Sequence, residues 1–144
     1  MNIDGPSGLH ALKEMRIIDL STGNIEWHSD SYLSNHYVWS DDSKFVAAQY
    51  SGRQWTETLV LDTSDFSIIK LPGIDDILKA APDTPAPNLN IPMSQFTVIG
   101  WESSSVIVIR FEWITTSDTT VVGEYKYNVV FWEMEVKKID EIKT

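Results

Sequence analysis

Cysteine is absent from the 144 residues, which excludes disulfides, thiolate metal sites and a cysteine nucleophile. Glycine is scarce, at 7 residues scattered singly, and neither a phosphate-cradling glycine loop nor a Gly-x-Ser-x-Gly nucleophile elbow can be assembled. No apolar run approaches the ~20 residues of a membrane-spanning helix. Basic residues are also few, 11 Lys and Arg against 21 Asp and Glu, for a net charge of -10 and a pI near 4.5. The excess is not a tail, because residues 1–72 carry 10 acids against 5 bases and residues 73–144 carry 11 against 6. A surface of this sign repels phosphate backbones and anionic lipid and attracts basic partners.

What the chain does have is enough to bury. Hydrophobic residues make up 42% and aromatics 11%, with 6 Trp, 5 Tyr and 5 Phe, which is incompatible with a disordered chain. Its length, 144 residues and 16.4 kDa, predicts one domain spanning 1–144. The opening MNIDGPSGLHALKEM has no basic stretch followed by an apolar one, so a soluble cytoplasmic protein is expected.

Val, Ile, Thr and aromatic residues cluster in short runs separated by Gly, Ser, Asp and Asn, the pattern of strands and turns. About ten strands are predicted. Arg16–Leu20 and Ile25–His28 form a hairpin around Ser21-Thr22-Gly23-Asn24. A four-stranded meander follows over 36–39, 44–50, 56–62 and 66–71. Ile74–Ala81 has apolar residues at helical spacing and two acids in its first turn, predicting a short helix. Residues 82–92, PDTPAPNLNIP, hold four prolines and read as an extended surface loop between two sheet units. Strands then follow over 95–101, 105–114, 121–124, 125–135 and 136–142. The expected class is all-β, with antiparallel meanders or packed sheets and one helix.

The chain also shows self-similarity. Ile18-Asp19-Leu20-Ser21-Thr22-Gly23 overlies Leu61-Asp62-Thr63-Ser64-Asp65-Phe66 at an offset of 43, Val38–Ser43 overlies Gly100–Ser105 at 62, and Asp62 overlies Glu133 at 71. Trp39-Ser40-Asp41-Asp42-Ser43 before Phe45-Val46-Ala47-Ala48, together with the apolar-Asp-turn element at 18–23, resembles blades of a WD-repeat or TolB-like β-propeller. The resemblance is good over 36–71 and implies two to two-and-a-half blades, too few to close a ring. It carries no Gly-His/Trp-Asp signature and implies nothing definite about function.

The chemistry-bearing residues are sparse. His10, His28 and His36 have no partner at a metal-ligand spacing, so no metal or cofactor is expected. Asp41-Asp42, Asp62 with Asp65, and Asp75-Asp76 read as turn formers and helix-start charges. Trp39, Trp101 and Trp132 occupy apolar strand positions and are expected in the core, whereas Trp27, Trp55 and Trp113 have polar neighbours and are expected at the surface. Exposed aromatics beside acids suit a protein-binding face. The candidate contacts are therefore Trp55 with Glu57, Trp113 with Glu112, Asp41 and Asp42, and Asp83.

By composition the chain is similar to bacterial toxin-immunity proteins. That similarity implies a non-enzymatic, cytoplasmic inhibitor that covers a basic, nuclease-like toxin and binds neither nucleic acid nor membrane. Two other readings stay open: a scaffold completed by homodimerisation or another assembly, and a carbohydrate-binding domain.

Overall fold

A computed structural model describes residues 15–29, 34–91 and 93–143. His10 and Pro92 lie outside the described residues, as do the side chains of Trp27 and His28. Ten strands and one helix run in order: β1 Met15–Ile18, β2 Ile25–Ser29, β3 Ser34–Trp39, β4 Phe45–Ser51, β5 Trp55–Asp62, β6 Ser67–Ile69, α1 Ile74–Ala80, β7 Ser94–Trp101, β8 Val106–Ile114, β9 Thr119–Asn128 and β10 Glu133–Lys143. The protein is all-β, as the strand-and-turn pattern predicts.

β1 and β2 pair as a hairpin of their own. The other eight strands form one sheet made of two antiparallel meanders, β3–β6 and β7–β10. The meanders join where the start of β7 runs parallel to the start of β5, through Trp55↔Ser94 and Thr56↔Gln95. Beyond that point β7 peels away across β4 towards β3. Two side chains satisfy its released backbone groups: Thr58 Oγ1 donates to Phe96 O at 2.9 Å, and Gln49 Oε1 accepts from Val98 N at 3.3 Å. At its far end Trp101 stacks on Phe45, centroids 5.9 Å apart, and its indole N–H donates to Val38 O at 3.0 Å.

This curl faces the two meanders across one core. Phe45, Ala47 and Val60 come from the first, and Phe96, Ile107, Ile109, Phe111, Trp113, Val121 and Tyr125 from the second. Ile77 of α1 is fully buried among them. β8 and β9 alternate strictly, so Arg110, Glu112, Glu124 and Lys126 stand on the opposite face from the core residues. There Arg110 pairs with Glu112, Lys138 with Glu124, and Lys126 with Glu102. A smaller cluster of Val46, Ala48, Leu59 and Leu61 fills the other face of β4 and β5, with Ile17 of the hairpin against it.

The structure corrects the reading of the last third. Instead of strands at 121–124, 125–135 and 136–142, a single long β9 ends at Asn128 and a turn over residues 129–132 leads into β10. Asn128 makes that turn: its Oδ1 accepts the N–H groups of Val130 and Phe131 at 2.9 and 3.0 Å, and its carbonyl accepts from Trp132 N at 2.8 Å. The same motif recurs at Asp19, where Ser21 N and Gly23 N donate, and at Asp62, where Ser64 N and Phe66 N donate. The counterpart of Asp62 in the second meander is thus Asn128 rather than Glu133. The fifth residue of each turn is left-handed: Gly23 at φ 74°, Phe66 at 59° and Trp132 at 60°.

Candidate functional site

β6 and the start of β7 pair with the same edge of β5. β7 takes Trp55 and Thr56, β6 takes Val60 to Asp62, and residues 57–59 between them have no ladder partner on that side. A cleft of about 790 Å³ opens at this fork. Its far wall is the proline-rich segment, which is pinned to the end of β8: Trp113 Nε1 donates to Pro85 O at 2.9 Å, Asn88 N to Ile114 O at 2.8 Å, and Pro87 bridges Thr115. Proline prevents this segment from joining the sheet, so it crosses the surface and presents Pro87, Leu89, Ile91 and Met93 to the cleft.

Tyr50, Trp55 and Glu57 form the near wall. Tyr50 and Glu57 are cross-strand partners, and the Tyr50 and Trp55 rings meet edge to face at 5.7 Å. The Glu57 carboxylate has no hydrogen bond or ion pair among the described residues. Burial pushes its carboxyl above the ordinary value of 4.5, and the charge of Lys70, just after β6, opposes that shift only in part. Tyr125 does not line the cleft: it is fully buried in the core, and its hydroxyl donates to Pro72 O at 2.9 Å. Its phenol is pushed well up by burial and then by the nearby charges of Glu57 and Asp76.

Ile68 and Lys70 line this cleft and also a second, shallower hollow of about 500 Å³ on the other side of β6, closed by Tyr127 and Trp132. Beside it stand Val130, Phe131 and Trp132, three consecutive apolar residues, with Phe131 70% and Trp132 73% exposed. β6 therefore runs through an apolar face bounded by Trp55 on one side and Trp132 on the other.

Of the sequence-predicted contacts, only Trp55 and Glu57 come together here. Trp55 is exposed as expected, at 40%. Trp113 is not exposed: at 1% it belongs to the core, stacked on Phe111 at 5.4 Å. Period-two alternation puts Trp113 and Glu112 on opposite faces of β8, so a charged neighbour in sequence says nothing about the tryptophan. Glu112 pairs with Arg110 at 3.0 Å on the outer face. Asp42 shapes the β3–β4 turn by accepting from Ser40 Oγ and Lys44 N, which holds its carboxyl below the usual range, the Lys44 N–H being the larger cause. Asp41 and Asp83 are exposed and lie apart from the cleft walls. Two tryptophans expected in the core are also exposed, Trp39 at 47% on the edge strand β3 and Trp132 on its turn.

Sequence reasoning missed Tyr50, Ile68, Lys70, Phe131 and Trp132. For the last two the available signal was Asn128, whose side chain can cap a turn as Asp19 and Asp62 do. Among the described residues no three His, Asp or Glu side chains gather as a metal site, and no helix is long and apolar enough to cross a membrane. Comparison with protein-family models, with curated proteins and with solved structures finds no match for this chain.

Proposed function

We propose that this chain is a non-enzymatic binding module that captures a basic protein partner on the apolar face around β6, acting as an inhibitor of the toxin-immunity kind. One observation carries the reading. Trp132 is bulky, 73% exposed and left-handed at φ 60°, in a turn whose equivalent place holds Gly23, at no steric cost, and Phe66, which is partly buried. Left-handed backbone costs a side-chain-bearing residue about 1–2 kcal/mol, and so little of this indole is buried that folding gains little from it. An intermolecular contact accounts for both features, since aromatic residues that bury fully only in a complex dominate binding energy. The net charge of -10 supplies steering towards a basic partner.

The test is a pull-down from the lysate of the source organism with the tagged protein and with its Trp132→Gly variant, washed at low and high salt. The expected result is one basic protein held by the parent, weakened by salt and lost from the variant. Equal retention by the variant would remove the turn from the interface. An empty pull-down with concentration-dependent mass in light scattering would replace the reading with self-assembly.

A further inference from the structure

The fork cleft has a more specific chemistry than the apolar face around it. Among the described residues lining it, Glu57 and Lys70 alone are charged, and they are not in ion-pair contact with each other. The carboxylate stands beside the Tyr50–Trp55 ring pair, in a site otherwise walled mainly by Leu59, Ile91 and Met93. An acid without a counter-ion in contact, an aromatic surface and an apolar channel together match a long side chain with an aliphatic stem and a cationic head.

We infer that this cleft receives one lysine or arginine side chain of the basic partner, its cationic head against Glu57 and its stem along Trp55 and Leu59. The inference rests on the protein-binding reading above and names the chemistry of its anchor. Charge complementarity favours this occupant: the chain carries a net -10, and an entering segment that excludes water from a half-buried carboxylate strengthens its attraction to a cation. Lys70, the residue after β6, lines the cleft and is exposed. Its charge acts on Glu57 and partly offsets the effect of burial there, so it opposes an incoming cation, and the Lys70→Ala variant measures by how much. The other titratable groups facing Glu57 are Tyr50 from β4 and Tyr125 from β9. The other carboxylate whose charge reaches Tyr125 is Asp76, which does not line the cleft and whose Oδ2 accepts from Gly73 N at 2.9 Å. The raised titration of Glu57 agrees with a site awaiting a counter-ion.

The probe is Nα-acetyl-lysine methylamide, with its norleucine counterpart as the uncharged control, titrated into the isotope-labelled full chain. The readouts are the indole N–H signal of Trp55 and the carboxyl titration of Glu57. The lysine derivative is expected to move the first and lower the midpoint of the second, and norleucine to do neither. Glu57→Gln should weaken lysine binding about tenfold or more, and Lys70→Ala should tighten it. Equal binding of norleucine, or an unchanged affinity in Glu57→Gln, overturns the inference. A basic protein captured through Trp132 but indifferent to Glu57→Gln keeps the docking reading and overturns this one. Glu57-dependent lysine binding without any captured protein keeps the site and overturns the docking reading.

Discussion

At position 57 a carboxylate is half-buried with no counter-ion in contact, and burial raises its titration above 4.5. The folded state therefore holds this proton more tightly than the unfolded chain does, and Glu57 lowers stability as pH rises from 4.5 through its raised value. Glu57→Gln should match the parent below that window and exceed its thermal midpoint at pH 7, with the gap opening across the window in a melting series. A constant gap at every pH would show that burial of the charge is not the cause. The left-handed residues make a second comparison. Gly23→Ala should destabilise the chain by about 1 kcal/mol, while Trp132→Gly should stay within about 1 kcal/mol of the parent, because relief of strain offsets the added freedom of the unfolded chain. Denaturant titration measures both, and a loss above about 2 kcal/mol in Trp132→Gly would mean that the indole is held by its own fold.

Among the elements, β8 and β9 are the most heavily committed to packing; β8 is legible from sequence, whereas β9 reads there as two strands. Their burial alternates without a break, and on β9 the small member of the buried series is Gly123. A Cβ there would collide with the Phe111 ring and the Lys138 carbonyl oxygen, so Gly123 makes room for the stack of Phe111 with Trp113 and Tyr125. Gly123→Ala should destabilise by about 1–3 kcal/mol or more, as overpacking does, and an unchanged unfolding midpoint would show that the ring can move aside. The hairpin at 18–25, the meander at 34–69 and helix α1 follow from local turn chemistry and periodicity, which one sequence contains. The turn at 129–132 does not, because Val129-Val130-Phe131-Trp132 satisfies the strand pattern by composition. Only the side chain of Asn128, bonded to Val130 and Phe131, shows that the chain reverses there.

For the molecule as a whole, the excess of acids extends through both meanders and leaves the folded state under mutual repulsion. Raising ionic strength from about 0.01 M to 0.15 M shortens the screening length from about 30 Å to about 8 Å. The thermal midpoint should rise over that interval while association with a basic partner slows, and scanning calorimetry with stopped-flow binding would follow the two opposite trends. A midpoint that falls with salt would mean that attractive pairs such as Arg110–Glu112 outweigh the repulsion.

The all-β class, the turn positions other than 129–132, the single helix and the acidic sign were determined by sequence alone, because each depends on residues within a few positions of one another or on composition. Which tryptophans face solvent was decided by tertiary structure. Trp113 is covered because the curl of the sheet sets its β8 face against β4, β5 and α1, and Trp39 is half open because β3 ends the sheet. The cleft is of the same kind: it exists where β6 and β7 share one edge of β5, a pairing between residues about 40 positions apart. The pattern of either strand alone contains no trace of it, since hydrogen-bond partners across a sheet are chosen by the packing of the whole.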